Sequence, residues 1–330
     1  MFLICKCIGL IKLFNDLRIK FYIKIFFYGL LVLSVISCDE KINFTESIFE
    51  DEPDLNPDSE TYLFDKWLYD NYLIPYNLDF RYKMQDVGSD ISYNLVPTSL
   101  EKSIDMAILV KYLWFDVYSK VVSDDFLKLY GPRIIHLIGS PAYNPAHGTI
   151  VLGTAEGGIK VTLYRCNELT SSNIDVMNEY YFKTMHHEFA HILHQQKTYP
   201  KEFENFTAGY YDPIGWQFRT DSEAASLGCV SPYASSQPRE DFVEVIAFYI
   251  VKTDAQWNNI LNLASKPGID ASGQVVPNNL KMRGDEIIKA KLEIARKWLE
   301  ESWGIDLQAL RNEVQERQKH IEETLGQKYW

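Results

Sequence analysis

The pentad His187-Glu188-Phe189-Ala190-His191 is the most informative stretch of this chain. On an α-helix, residues four positions apart differ by about 40° around the axis and by about 6 Å along it. Two imidazoles at this spacing can reach one metal ion, and zinc accepts neutral imidazole nitrogen as a ligand. Glu188 is placed to take a proton from water that the metal activates. The pentad predicts one zinc ion per chain, bound by His187 and His191, with Glu188 as catalytic base; a chance match is the alternative.

The stretch at 238–251 supplies the best candidate for a third zinc ligand. Glu240 lies on the first turn of this predicted helix, and Glu244 lies one turn later on the same face. Glu244 is the only charged residue between positions 242 and 251, and an ionised carboxylate in an apolar helix needs a partner. A zinc-bound histidine usually donates its free N–H to a carboxylate. We therefore predict Glu240 as the ligand and Glu244 as the acceptor for His187, with helix capping as the alternative for Glu240.

Two further residues are candidates for the same site. His194 has nearly the azimuth of His187 but lies roughly 10 Å further along the helix axis. We expect it to hydrogen-bond behind a ligand or to line the cleft. Tyr233 lies seven residues before Glu240, where a phenol donor would stabilise negative charge on an attacked carbonyl oxygen. Tyr233 is thus a catalytic candidate, although the chain has 21 tyrosines and chance placement is the alternative.

The first 37 residues have the pattern of a signal peptide. Five basic residues precede an apolar run at 25–36, which is too short for a comfortable membrane span. Cys38 follows the small residue Ser37, and this junction resembles a bacterial lipoprotein signal. We predict that residues 1–37 are removed and that lipidated Cys38 anchors the mature chain to a membrane. An ordinary secretory signal and a single membrane anchor are the alternatives.

The charge of the mature chain argues against one class of partner. Residues 1–37 carry five of the 33 basic residues and one of the 45 acidic residues, so their removal changes the formal net charge from −12 to −16. Such a surface repels phosphate backbones, and nucleic acid is not an expected partner. Membrane attachment would come from the lipid rather than from a basic patch.

The remaining sequence predicts one domain behind a flexible segment. Residues 38–59 are acidic and rich in Asp, Glu, Pro and Ser, which is typical of a disordered tether. Residues 60–330 predict an N-terminal α/β lobe to about 200 and a helical C-terminal lobe from about 238. Strands precede helices, which favours an α+β fold with a small mixed or antiparallel sheet. An irregular stretch of about forty residues follows the pentad helix, and its length indicates a functional role.

Hydrophobic periodicity and turn residues predict the individual elements. The predicted strands cover residues 78–84, 133–138, 149–153 and 160–164. The predicted helices cover residues 60–71, 99–122, 125–130, 173–196, 238–251, 255–264, 280–303 and 307–325.

The predicted strand at 160–164 is a candidate edge strand beside the cleft. An extended peptide could then bind by strand addition, with backbone hydrogen bonds supplying affinity. The substrate-binding residues would be Lys160, Val161, Thr162, Leu163 and Tyr164. The alternative is an internal strand.

Two cysteines, Cys166 and Cys229, lie within the predicted domain. The compartment beyond the inner membrane permits disulfides, so the two could pair if their Cα atoms lie close together. Neither has the CxxC spacing of a metal site, and we interpret both as structural or incidental.

The candidate site residues resemble those of known zinc peptidases. The pentad followed by Glu240 and Glu244 resembles the gluzincin branch, and the position of Tyr233 is similar to the anthrax lethal factor group, in which that tyrosine lies at the metal. More closely, the chain resembles the zinc-binding metallopeptidase lipoproteins of the Bacteroidota, described as substrate-import-associated zinc metallohydrolases. The matching stretches are Leu137-Ile138-Gly139-Ser140-Pro141-Ala142-Tyr143, Gly153-Thr154-Ala155-Glu156-Gly157-Gly158, the pentad extended through His194-Gln195, and Ser231-Pro232-Tyr233 running into Glu240-Asp241-Phe242. Val243 stands where the family usually has alanine, a conservative change that leaves the ligand assignment intact.

This resemblance implies a zincin-like metallopeptidase fold with an active-site helix and one zinc ion. It also implies genes close to TonB-dependent outer-membrane importers of the SusC/SusD starch-utilisation type, so that an outer-membrane import complex is an expected partner. The protein would then be lipid-anchored to the outer membrane, at the cell surface or on the periplasmic face. Asp39 and Glu40, directly after Cys38, fit surface display loosely.

Together these features favour hydrolysis of a peptide or protein substrate by zinc-activated water. One alternative is a non-catalytic substrate-binding lipoprotein with a structural zinc, in which His194 or Tyr233 supplies a fourth ligand. Glu188 argues against it, because a structural site needs no carboxylate beside an open position. The other alternative is a zinc hydrolase that acts on a non-peptide amide in a glycoconjugate.

Overall fold

The computed structural model of the chain describes residues 55–84, 94–143, 150–151, 153–156, 159–170, 173–327 and 329. Residues from Leu55 onward belong to one compact unit. The predicted signal peptide at 1–37, Cys38 and the predicted tether up to residue 54 lie outside the described residues. Among the described helices, none has both the length and the apolar character that crossing a membrane requires.

The described residues form a small mixed sheet and two separate strand pairs. The strands are β1 (Asp79–Arg81), β2 (Ile134–Leu137), β3 (Ala142–Tyr143), β4 (Ile150–Val151), β5 (Gly153–Glu156), β6 (Lys160–Leu163), β7 (Gly268–Ile269) and β8 (Val275–Val276). The main sheet has the order β1-β2-β6-β5; β1, β2 and β6 are parallel, and β5 runs antiparallel to β6. Strands β3 and β4 form one antiparallel pair, and β7 and β8 form the other.

Helices make up most of the remaining described structure. They are α1 (Tyr62–Leu68), α2 (Leu100–Val110), α3 (Asp116–Val121), α4 (Phe126–Tyr130), α5 (Lys183–Gln196), α6 (Glu202–Asn205), α7 (Asp221–Ser226), α8 (Pro238–Val251), α9 (Asp254–Ala264), α10 (Gly284–Trp303), α11 (Leu307–Gln318) and α12 (Ile321–Leu325). Short helical pieces at Ile74–Tyr76 and Ile174–Met177, and π-helical turns at Tyr69–Leu73, Lys111–Phe115 and Asn178–Phe182, adjoin α1, α2 and α5. Helices with a small mixed sheet confirm the predicted α+β class.

The helix predictions hold where the sequence marks both ends. Helix α8 has the predicted bounds, because Pro238 suits the first turn and Thr253 caps the next helix with a reciprocal bond to Gln256. The helix predicted at 307–325 is divided into α11 and α12. The backbone N–H groups of Lys319 and His320 bond to carbonyls three residues back, which tightens and ends α11.

Aromatic packing fixes the two helices that carry the candidate site. Helix α5 packs against β5 and β6 and along α8. Phe189 of α5 is fully buried, with its ring centroid 5.8 Å from that of Trp114 and 5.0 Å from that of Tyr118. Phe242 of α8 stacks on Tyr199 at 4.1 Å. Burying one such ring contributes about 1.5–3 kcal/mol, so both helices are held firmly in the core.

The strand at 160–164 is internal, and the prediction of a substrate-binding edge there is wrong. Strand β2 pairs with one side of β6 and β5 pairs with the other. The backbone of β6 is therefore already hydrogen-bonded to a neighbouring strand on both sides. Lys160, Val161, Thr162, Leu163 and Tyr164 are all buried. The sequence reasoning missed β5 because Gly153-Thr154-Ala155-Glu156 lacks an alternating apolar pattern.

The two cysteines of the domain are separate free thiols. Cys166 lies after β6 and Cys229 lies in the long segment between α7 and α8, and both are buried. The disulfide that the sequence left open is therefore absent from the structure. Burial raises the pKa of each thiol to about 12, which keeps both thiols protonated and unreactive.

Candidate metal centre

Helices α5 and α8 bring the predicted ligands together. The imidazoles of His187 and His191 lie on one face of α5, with ring centroids 4.8 Å apart. Glu240 lies in the first turn of α8, directly opposite them. His187 and Glu240 are buried, and His191 is partly exposed. The long sequence separation between the pentad and Glu240 is therefore closed by the packing of two helices.

Three donor atoms converge at this point. Nε2 of His187 and Nε2 of His191 each lie 3.2 Å from Oε2 of Glu240. The ligand atoms that these three residues offer all lie within 4.8 Å of one another. Two imidazole nitrogens and one carboxylate oxygen form the donor set of a catalytic zinc site, in which a fourth position stays open for water. The residues therefore fit one zinc ion.

The other ring nitrogen of each histidine has its own partner. Nδ1 of His187 lies 2.8 Å from Oε1 of Glu244, and Nδ1 of His191 lies 2.9 Å from Nε2 of His194. Ser231 donates to the second carboxylate oxygen of Glu244 at 2.7 Å. Such contacts fix the imidazole tautomer and leave Nε2 free to bind a metal. The structure thus places Glu244 beside His187 and His194 beside His191, each at the ring nitrogen that does not face Glu240.

The charges of the centre favour a cation. Burial opposes a charge on Glu240, but hydrogen bonds with His187 and His191 hold its pKa far below the usual range. At Glu244, burial would raise the pKa, but Lys183 and His187 lower it to about 2. Burial would lower the pKa of His187, but the carboxylates of Glu240 and Glu244 raise it to about 10. A centre that holds a proton this tightly has excess negative charge, and a divalent cation can replace that proton.

Glu188 and Tyr233 lie at the same centre. Glu188 is buried, and its charge contributes to the raised pKa values of both His187 and Tyr233. The ring of Tyr233 lies 6.0 Å from that of His187, with an interplanar angle of 30°. Burial, the charge of Glu240 and a hydrogen bond with Glu240 raise the pKa of Tyr233 well above its usual value. Its phenol therefore remains a protonated donor at neutral pH.

The irregular stretch after the pentad helix shapes one side of the centre. It contains α6, α7 and two 3₁₀ turns, Gly215–Phe218 and Tyr233–Ser235. The second turn carries Tyr233, and Trp216 of the first turn contacts it with ring centroids 5.0 Å apart. Tyr233 as a whole remains 38% exposed, so part of this residue faces solvent.

A buried ion pair lies directly behind Glu240. The next residue, Asp241, pairs with Lys291 of α10, and both side chains are 0% exposed. Lys291 also donates to Thr207 at 2.6 Å, and Tyr211 donates to Asp241 at 2.7 Å. These contacts attach the first turn of α8, and with it Glu240, to α10 and to the irregular stretch.

Sequence reasoning missed three residues that support the centre. Ser231 holds Glu244, Gln237 donates to Oε1 of Glu240 at 3.2 Å, and the charge of Lys183 lowers the pKa of Glu244. Lys183 precedes His187 by four positions on the same helix face, and that spacing was an available signal. Ser231 and Gln237 lie in the irregular chain before α8. Only the folded path of that chain brings them to the site.

The chain resembles known proteins over most of its length. A family described as "Putative zinc-binding metallo-peptidase" matches residues 58–308, a range that includes every residue of the centre. The crystal structure of a "putative zinc-binding metallo-peptidase" from Bacteroides caccae ATCC 43185 is 44% identical, with a TM-score of 0.67. The similarity covers 84% of this chain and 97% of that one. None of the curated proteins matches the chain. The chain therefore belongs to the family described as "Putative zinc-binding metallo-peptidase".

Proposed function

We propose that this protein is a zinc metallopeptidase of the gluzincin type that hydrolyses bonds in peptides or proteins. The observation that carries the proposal is the convergence of His187, His191 and Glu240 on one point, with Glu188 beside it. Three protein ligands leave a position open for water, whereas a structural zinc site is closed by four. The general base next to an open position has a use in hydrolysis and none in a purely structural site.

Each residue of the centre has a defined task in this reaction. Zinc, when bound by His187, His191 and Glu240, supplies a Lewis acid that makes water easier to deprotonate. Glu188 takes the proton of the attacking water and later delivers it to the leaving amine. Tyr233 donates a hydrogen bond to the carbonyl oxygen as negative charge builds there.

The peptide would lie along β5 rather than along β6. Among the described residues, β5 pairs with β6 on one side only, and it packs against α5. An extended peptide can bind to the second side of β5 through backbone hydrogen bonds, which places a peptide bond beside the pentad helix.

The binding-protein alternative is less well supported. It needs a fourth protein ligand from His194 or Tyr233. Nε2 of His194 faces Nδ1 of His191 at 2.9 Å, which places it behind that ligand rather than among the three converging atoms. Hydrolysis of a non-peptide amide uses the same centre, and a substrate test decides between it and a peptide substrate.

We also propose a location and a partner. The lipoprotein-like leader, Cys38 and the acidic residues after it support attachment to the outer membrane by lipid, at the cell surface or on the periplasmic face. An association with a TonB-dependent import complex of the SusC/SusD type rests only on the resemblance of the quoted sequence stretches to the substrate-import-associated lipoproteins of the Bacteroidota. Fractionation of cells that express wild-type protein or Cys38→Ala tests the anchor; we expect only the wild-type protein in the outer-membrane fraction.

Digestion of a diverse peptide library by a zinc-loaded protein that starts at Asp39 tests the activity. Glu188→Gln is the matched control, because it keeps the size of the side chain and removes the base. We expect cuts by the wild-type protein that disappear with Glu188→Gln, while zinc content stays the same. Cuts that persist in the variant would contradict the role of Glu188. No cuts in a zinc-bound wild-type protein would favour the binding-protein or the glycoconjugate alternative.

A further inference from the structure

A cavity of about 540 Å³ adjoins the candidate metal centre. Tyr233 and Glu244, both in contact with His187, line the end of the cavity that is closest to the centre. Lys183, one helical turn before His187, and Phe248, one turn after Glu244, line it further away. A substrate residue next to the bond that is cut can therefore reach into this cavity.

Two lysines in the cavity wall share one carboxylate. Nζ of Lys183 lies 3.3 Å from Oε1 of Glu179, and Nζ of Lys252 lies 3.7 Å from Oε2 of the same residue. The side chains of Lys183 and Lys252 are only 12% and 19% exposed, whereas that of Glu179 is 44% exposed. The two ammonium groups also lie 5.1 and 5.4 Å from the centroid of the Phe248 ring. Among the described residues, Glu179 is the one carboxylate within 4 Å of both ammonium groups, while the charge of Glu244 acts on Lys183 from further away.

The other acidic groups of the cavity are already engaged or lie in solvent. The two oxygens of Glu244 bond to His187 and Ser231. Asp221 is exposed and lies in the first turn of α7, where a negative charge favours the helix dipole. Burial would lower the pKa of Lys183, but Glu244 and Glu179 raise it, so the ammonium stays charged.

We propose that this cavity binds a carboxylate of the substrate between Lys183 and Lys252. The substrate carboxylate would replace Glu179 as the partner of the two ammonium groups, and Glu179 would turn to solvent. Hydrogen bonds between ionised partners are stronger than neutral ones, and the low local dielectric of a partly buried site strengthens them. The carboxylate can come from a Glu or Asp side chain next to the scissile bond or from the C-terminus of the peptide. This inference deepens the proposed function and rests on it for the position of the cut.

Peptide binding to zinc-loaded Glu188→Gln protein tests the cavity without turnover. Fluorescent hexapeptides of alanine carry a single Glu, Gln or Lys at each position in turn, with the C-terminus either free or amidated. We expect Glu at one position, or a free C-terminus, to lower the Kd about tenfold relative to Gln or the amide. A gain with Glu would identify a side chain as the source of the carboxylate, and a gain with the free C-terminus would identify the chain end.

Lys252→Glu and the milder Lys252→Gln, each made in the Glu188→Gln protein, assign the effect to the cavity. Both should abolish the preference for the carboxylate, whether it is that of Glu over Gln or that of the free C-terminus over the amide, and Lys252→Glu should favour Lys peptides. Lys266→Glu is the matched control, because it makes the same charge change at an exposed position outside the cavity. Zinc content and the thermal midpoint show that each variant is folded.

Three outcomes would overturn the proposal: no gain in affinity from either a Glu side chain or a free C-terminus, tighter binding of Lys peptides, or a carboxylate preference that survives Lys252→Gln. Failure of the peptidase proposal looks different. If wild-type protein cuts peptides without an acidic preference, only the cavity proposal fails. If acidic peptides bind in a Lys252-dependent way and are never cut, only the peptidase proposal fails.

Discussion

At the scale of single residues, Glu244 links the metal centre to the rest of the protein. One of its oxygens faces His187 and the other accepts a hydrogen bond from Ser231. The sequence pointed to Glu244, because a lone charge in an apolar helix must have a partner. It could not assign a contact to Ser231 or Gln237, since nothing in their spacing relates them to the metal site. Ligands that share a helix face follow from the sequence, whereas contacts made by irregular backbone follow from the fold.

Glu244→Gln should weaken zinc binding by about 10- to 100-fold. The amide keeps the shape of the side chain but removes the charge that makes His187 a stronger ligand. Competition with a chromophoric chelator measures the change in Kd. Glu301→Gln, which alters an exposed glutamate on α10, is the control and should leave zinc affinity unchanged. Equal affinities of the Glu244→Gln and wild-type proteins would show that this contact does not tune the metal site.

At the scale of secondary-structure elements, the site depends on how α5 and α8 are held. Both helices were predictable, because Pro238 marks the start of α8 and the pentad defines a face of α5. The sheet was less predictable. Strand β5 has no apolar alternation in its sequence, and the buried run of β6 is equally compatible with an internal strand and an edge strand. Strand order depends on pairing between distant segments, which local sequence patterns do not encode.

The Asp241–Lys291 pair is the clearest test of how α8 is held. Lys291→Met leaves the Asp241 carboxylate buried without its counter-charge, and Oδ1 of Asp241 already has no hydrogen-bond partner among the described residues. We expect a loss of about 3–5 kcal/mol in the free energy of unfolding, measured by urea denaturation of the zinc-free protein.

Lys289→Met on the same helix is the matched control for this change. Lys289 pairs with Asp285, but its side chain is 58% exposed, so its removal should cost less than about 1 kcal/mol. Equal losses for the two variants would mean that the buried pair does not anchor α8.

At the scale of the whole molecule, the described unit from Leu55 onward contains every residue of the centre and of the adjacent cavity. The sequence predicted the α+β class and the family, and its pentad pointed to His187, His191 and Glu240, which the structure brings together. It did not predict the cavity with its two lysines, since Glu179, Lys183 and Lys252 come together only when α5 and α8 pack. The lipid anchor and the import partner remain predictions from the leader and from the resemblance.

Zinc titration of peptide cleavage tests the central proposal most directly. The protein is stripped with a chelator, zinc is returned in steps, and cleavage of a peptide from the library is followed. We predict no cleavage by the stripped protein and a linear rise to a plateau at one zinc per chain. Glu188→Gln should bind the same single equivalent and cut nothing. Cleavage that persists without zinc, or that is as fast in Glu188→Gln as in the wild-type protein, would contradict a zinc peptidase with Glu188 as its base.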